Sequence, residues 1–462
     1  MFLTRKTAAF CVMTLCALAG CASQTAPIDD ATPDLEQASQ PIAGAAKGAV
    51  YAMTNASGAN EIVVYQRAAD GTLSFLQVVP TGGGGSGIQL DPVDSLGSQG
   101  SLVLSADHRH LFAVNTETVS TDHDCHQGSI SVFNVGPGGA LTLAGPPVPS
   151  GGLYPDSVAV HGDTLYVLNS GGPDVCVASP GFEPYPHVAG FRLGASGSLT
   201  PIAGSARLVN PGVGPAPDTC APGGFAGGSP QFDCGLNPPA FPRSPGQVAF
   251  TPDGDQVIVS VKGTNALHVF PVAENGTLGA PTVTRAPGAE KPTYFGFGFD
   301  GHGHVIVSEP FGRSETIPAG GASAVSSFDI KSGGSLMPRS RSVENGETAT
   351  CWIAIDPRSQ SFAYAANNGT NSISVYAIHP SGALTYLPAA TAPLPAHEDE
   401  LAHPNELATA IDEDDDASFL YSMNSGTGMV SAFRIEQDGS LSPLGEIGGL
   451  PVDDGAQGLA AY

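Results

Sequence analysis

The last eight residues read GAQGLAAY (455–462), a short apolar strand with no hairpin partner after it. An unpaired strand of this kind is an open edge, and proteins seldom leave one uncovered. The same lettering recurs near the other end of the chain, where GSQGSLVL (97–104) reads as a glycine-rich lead-in followed by a strand. The terminal segment therefore aligns with the opening strand of an internal unit, and the repetition of that unit sets the architecture.

A Gly-small-Leu step recurs seven times, at Gly71-Thr72-Leu73, Gly139-Ala140-Leu141, Gly197-Ser198-Leu199, Gly276-Thr277-Leu278, Gly334-Ser335-Leu336, Gly382-Ala383-Leu384 and Gly439-Ser440-Leu441. Ahead of each lies an alternating strand such as ISVFNV (130–135) or ISVYAI (373–378), and ahead of that a second strand, closing on Asn in VYAMTN, LFAVN, LYVLN, FAYAAN and FLYSMN. The first strands read SLVLSA, SVAV, QVAFTP, FGFGFD, WIAIDP and ELATAID. Each unit is thus four strands, A to D, with the recurrent Gly in the C–D turn. Repetition at this period marks stacked or radial units. Unit one opens directly on strand B near Val50, and GAQGLAAY supplies its missing strand A. The expected fold is all-β: a seven-bladed β-propeller over residues 48–462, four antiparallel strands per blade, closed by the C-terminal strand pairing into blade 1.

Composition agrees. With 60 Gly and 40 Pro in 462 residues, and no apolar helical period held for three turns, the chain is punctuated for short strands. Residues 1–20 read as a leader: Arg5 and Lys6, then AAFCVMTLCALA, ending Leu18-Ala19-Gly20-Cys21, which looks like a lipobox. Cleavage before Cys21 and lipidation of its sulfur are expected, with 21–47 as a flexible tether, so that a membrane is met only through the lipid anchor of a bacterial cell-envelope protein. Losing Arg5 and Lys6 takes the formal charge from −26 to −28. Such a body repels nucleic acid and disfavours phosphorylated substrates.

The A–B and C–D turns are short (HGD, TPDGD, AADG, ENG), whereas the B–C and D–A connections include the long stretches 117–128, 170–187, 210–245 and 392–405. One face therefore carries the long loops, and function is expected there. Cys125 and Cys176 lie in B–C loops of neighbouring units and Cys220 and Cys234 bracket one D–A loop, so two disulfides, 125–176 and 220–234, are expected in an oxidising compartment. Cys351 is left over, as a small buried hydrophobe rather than a reactive thiol.

Several polar clusters imitate sites. Asp122-His123-Asp124-Cys125-His126 and His397-Glu398-Asp399-Glu400 with His403 offer metal-ligand types without a metal-site spacing. Asp412, Asp414 and Asp416 begin like a calcium loop, but Ala417 stands where the turn glycine belongs. GFGFDG (296–301) opens no helix, and no G-x-S-x-G occurs. Solvated turns and strand packing explain them, so no metal and no cofactor are expected.

The channel rim remains. The first residues of the inner strands meet the loop face: Gln99, Asp156, Gln247, Phe295, Trp352, Glu406 and Gln457, with Arg243, His403 and Asn405 just outside. Trp352 is the single Trp, and an aromatic beside converging amides and carboxylates suits a small polar ligand.

The phrases SVAVHGDTLYVLN (157–169), NSISVYAIHPSGALTYL (371–387) and VSAFRIEQDGSLSPLG (430–445) resemble the lactonase-type seven-bladed propellers, which include phosphogluconolactonase and carboxymuconate-lactonizing enzymes. The resemblance implies metal-independent ring opening or closing of a lactone at His, Arg and Glu groups in the channel. Where that family has an Arg-His or Pro-His step, this chain reads YPDSVAV, SPGQVAF, TCWIAI and PNELATA. Two function classes follow. One is a lactonase-like hydrolase of an unphosphorylated lactone, with Glu406 as general base, Arg243 or the rim amides at the oxyanion, and His403 nearby. The other is a non-catalytic propeller binding a small ligand or a protein partner through its loop face. A monomer is expected.

Overall fold

A computed structural model of the protein describes residues 46–87, 94–116, 127–171, 186–209, 245–286, 293–310, 323–397, 400–414 and 416–462. Seven antiparallel sheets follow one another in the order A to D. Blades 2 to 7 begin with strands A at Leu102–Leu104, Pro155–His161, Pro245–Phe250, Phe297–Phe299, Thr350–Ile355 and Pro404–Asp412. Blade 1 takes its strands B, C and D from Gly48–Met53, Glu61–Arg67 and Leu73–Pro80, and its strand A from Leu459–Ala461 at the far end of the chain. The register is Val50↔Ala461, Tyr51↔Ala460 and Ala52↔Leu459, extended by Met53 N–H to Gly458 O at 2.9 Å and Tyr462 N–H to Ala49 O at 3.1 Å. The closure expected from GAQGLAAY is what the structure shows. Among the described residues no helix is long and apolar enough to cross a membrane.

The recurrent glycine has two physical reasons. In all seven C–D turns it is left-handed, with φ between 78° and 89°, a conformation that costs little only without a Cβ. It also touches the preceding blade: a Cβ at Gly71 would lie 2.3 Å from Phe419, and one at Gly439 2.4 Å from Phe362. The glycine carbonyl receives a tyrosine from that neighbour, Tyr364 Oη to Gly439 O at 3.1 Å and Tyr51 Oη to Gly139 O at 2.9 Å. Tyr421 Oη to Gly71 O, 2.9 Å, makes the same contact across the closing seam. A turn signal is therefore also an interblade signal. The terminal Asn of strand B in blades 2 and 6 has a similar repeated duty: Asn115 donates to Ser129 and Ser131, and Asn367 to Ser372 and Ser374, tying strand B to strand C.

Two details depart from the repeat. In blades 2, 3 and 6 the outer strand is broken into two short segments, both paired with strand C. In blade 2 the break carries Pro146 and Pro147 and in blade 6 Pro388, which lack the N–H a ladder needs. Asp412 is not in a solvated turn: it is buried 3.6 Å from the guanidinium of Arg67, while Asp414 pairs with Lys47 at 2.6 Å.

Candidate functional site

The inner strands run from the loop face toward the short-turn face, so their first residues ring the mouth of the axial channel. The structure brings Gln99, Asp156, Gln247, Phe295, Trp352, Asn405, Glu406 and Gln457 to that ring, and all are buried. Arg243, the four loop cysteines 125, 176, 220 and 234, Cys21 and the cluster 122–126 lie outside the described residues. His403 sits in the blade 6 to 7 connection, its ring Nδ1 3.1 Å from Asn368 O. Cys351 is free and buried, and its thiol is pushed well up by desolvation, as a core residue's would be.

What fills the mouth is chain. Residues 94–100, the end of the connection from blade 1 to blade 2, cross from rim to rim. Tyr154 Oη donates to Ser95 O at 2.9 Å, and Leu96 N–H donates to Gln457 Oε1 at 2.8 Å. Lys262 Nζ donates to Gly97 O. Ser98 O accepts twice, from Trp352 Nε1 at 2.9 Å and Gln457 Nε2 at 2.8 Å. Gln99 then pairs like a peptide unit with strand A of blade 6, through Nε2 to Ile353 O at 2.8 Å and Ile353 N–H to Oε1 at 2.9 Å. Its own N–H reaches Gly246 O of blade 4 at 2.9 Å. Partners on blades 1, 3, 4 and 6 can be met by one short segment only if it spans the axis. Gln247 and Asn405 likewise serve backbone, accepting from Phe297 N–H at 2.6 Å and donating to Ala456 O at 2.6 Å.

Three ionisable side chains are sealed beneath this segment. Burial holds the Glu406 carboxyl well above the ordinary range, opposed by the donating Gly100 N–H and reinforced by the charge of Asp94. Asp156 is pushed up to about 8, mainly by burial, although Ser170 donates to it and Lys262 is nearby. Lys262 lies 4.7 Å from the centre of the Phe295 ring. Burial lowers its ammonium below the usual range, against the pull of Asp94 and Asp156. Burial thus disfavours the charged form of Glu406, the form that the general-base role expected from sequence requires. Lys262 was missed. Its signal was a lone Lys closing the apolar run VIVSVK, in a chain with only four Lys after the leader.

The sign of the Asp156 shift gives a measurable consequence. A carboxyl raised from 3.8 to about 8 holds a proton in the folded state that the unfolded state releases, so stability falls as pH rises through that window. Asp156→Asn removes this slope. The variant is expected to match the parent near pH 4 and to be more stable by roughly 2–5 kcal/mol at pH 8. Denaturant melts at the two pH values check it, and an identical slope in both proteins refutes it.

Elsewhere, Asp300, His302 and His304 group on the A–B turn of blade 5, on the opposite face, where His304 Nδ1 is 2.7 Å from Asp300 and Nε2 3.3 Å from Asp329. A groove of about 370 Å³ between the outer strands of blades 6 and 7 is walled by residues such as Ala390, Pro393, Phe433 and Pro443. Its one carboxylate, Glu446, is engaged by His397 at 2.9 Å and Ser431 at 2.6 Å. Neither place offers the acid-base set of the mouth.

Comparison with known proteins supports the resemblance seen in the sequence. Residues 314–455 match the family described as lactonase, 7-bladed beta-propeller. No curated protein matches the chain by sequence. Among solved structures, a periplasmic gluconolactonase of Pseudomonas aeruginosa superposes with a TM-score of 0.60 at 17% identity, covering 90% of this chain and 99% of its own. A protein of Bacteroides uniformis assigned as a 6-phosphogluconolactonase gives 0.58 at 16% identity, covering 90% and 99%. A Lactobacillus plantarum protein gives 0.59 at 16%, covering 90% and 98%. At these identities the structural likeness is one of fold.

Proposed function

We propose that this chain is a lipid-anchored cell-envelope lactonase that hydrolyses an unphosphorylated lactone at the loop-face mouth of its channel. The observation that carries this reading is the placing of Glu406, Asp156 and Lys262, all buried, around the one mouth that residues 94–100 cross. In the reaction, water adds to the lactone carbonyl carbon, the ring C–O bond breaks, and the ring oxygen takes a proton to become a hydroxyl. Neutral Glu406 supplies that proton and regains one from the added water, and the ammonium of Lys262, beside the carbonyl, stabilises charge developing across the ester group. Lactonase-type propellers give the precedent for the chemistry. The low basic content of the chain favours a substrate without phosphate, and the periplasmic neighbour and the lipobox-like Leu18–Cys21 favour the envelope.

The test is acid release from a panel of sugar and aliphatic lactones, with and without phosphate. Turnover of an unphosphorylated lactone is expected, with about 10²- to 10⁴-fold loss of kcat and little change in KM for Glu406→Gln. Equal rates in parent and variant would remove Glu406 from the chemistry. The second reading, a propeller that binds a ligand or partner without turnover, draws on the rim amides being spent on backbone. It predicts binding by the loop face and no hydrolysis in either protein.

A further inference from the structure

Residues 94–100 are held by polar contacts and by one apolar anchor, Leu96, which is fully buried in the core shared by blades 1 to 3. Apart from Leu96 the segment Ser95-Leu96-Gly97-Ser98-Gln99-Gly100 carries no apolar side chain, and Gly97 and Gly100 have φ of 59° and 82°, where a backbone turns easily only at glycine. The donors that grip it come from the rim and point inward: Lys262 Nζ at Gly97 O, and Trp352 Nε1 with Gln457 Nε2 at Ser98 O. Two N–H groups converging on one carbonyl oxygen have the form of an oxyanion site already occupied. Beneath the segment, Asp156 Oδ1, Asn405 Oδ1, Glu406 Oε2, Ser101 Oγ and Ser260 Oγ are buried with no hydrogen-bond partner.

We propose that residues 94–100 are a displaceable stopper, whose Gly97 and Ser98 carbonyls hold the places of the acceptor oxygens of an uncharged, polyhydroxylated ester or lactone. On withdrawal, Trp352 Nε1 and Gln457 Nε2 receive the substrate carbonyl and Lys262 a neighbouring oxygen, while the unpartnered oxygens below accept its hydroxyls. Opening also returns water to three desolvated ionisable groups, which favours it. The choice of ligand rests on the lactone reading above; the stopper itself does not.

The single Trp provides the experiment. In the ¹⁵N-labelled full chain one indole N–H signal is expected, that of Trp352, and its exchange with deuterium reports release from Ser98 O. Exchange at least 100-fold faster than that of core amides such as Val64 and Val259, with a weaker denaturant dependence, is the expected result. Gln457→Ala should speed it about 10-fold further, leaving those core amides unchanged. An indole that exchanges only with global unfolding overturns the stopper. If a lactone is turned over, Lys262→Met should lower kcat/KM at least 100-fold; unchanged kinetics would remove Lys262 from the substrate site while the lactone reading stands. If no lactone is turned over but the indole exchanges early, the lactone reading fails and the stopper survives.

Discussion

Deleting residues 456–462 is expected to abolish the cooperative native fold at moderate temperature and to leave an aggregating product. The deletion removes the three register pairs of strand A in blade 1, the buried side chains of Leu459 and Ala460, and the stacking of Tyr462 near Tyr51 at 6.3 Å. It also strips the neighbour from strand B, Gly48–Met53, every residue of which is buried. Loss of apolar burial alone is worth a few kcal/mol at about 25 cal/mol per Å², and the broken ladder brings the cost to roughly 5 kcal/mol or more. That is comparable with the whole stability of many domains. The freed strand is then an exposed, apolar edge ready to pair with another chain. Calorimetry and light scattering decide it: an unchanged, cooperative melt of the truncated protein would show that the terminal strand is not the closure.

Arg67→Met is expected to cost about 3–5 kcal/mol, the range for removing one partner of a buried ion pair. Arg67 is 1% exposed at the seam between blades 1 and 7. Its Nε donates to Tyr462 O at 3.0 Å, its Nη2 to both Lys47 O and Ile411 O at 3.1 Å and its Nη1 to Ala68 O at 3.4 Å, so one guanidinium ties the first described residues, the last residue and blade 7 together. It also lies 5.4 Å from the centre of the Phe419 ring and beside the buried Asp412. Taking it away leaves four backbone oxygens and a carboxylate without this donor. The double variant Arg67→Met, Asp412→Asn should recover about 1–2 kcal/mol, because the stranded charge is gone. Urea melts of the four proteins of the cycle measure this, and a zero coupling energy would refute the ion pair as the source of the loss.

The architecture was legible because its signals are local and repeated. A left-handed turn needs glycine wherever it occurs, a half-buried strand alternates, and seven copies of the same sequence of signals leave little freedom in how they stack. The Gly-small-Leu step and the likeness of GAQGLAAY to GSQGSLVL together determined blade number, strand order and the closing partner. The rim was legible in part for the same reason: knowing where each inner strand begins places Gln99, Asp156, Trp352, Glu406 and Gln457 on one ring. What those side chains do there was not. Whether a carboxyl is charged depends on how much water reaches it. Burial raises the carboxyls of Glu406 and Asp156, at a mouth crossed by a segment some 300 and 60 residues away in sequence. Lys262 and Arg67 look like ordinary surface cations at strand ends, and only the packing of distant carbonyls around them makes them buried hubs. The same lead-in Gln, at 99 and 457, grips an opposite strand in one case and the stopper in the other. Sequence patterns fix backbone periodicity, which is short-range; the filling of the channel and the protonation of its mouth depend on desolvation by residues that meet only once the ring has closed.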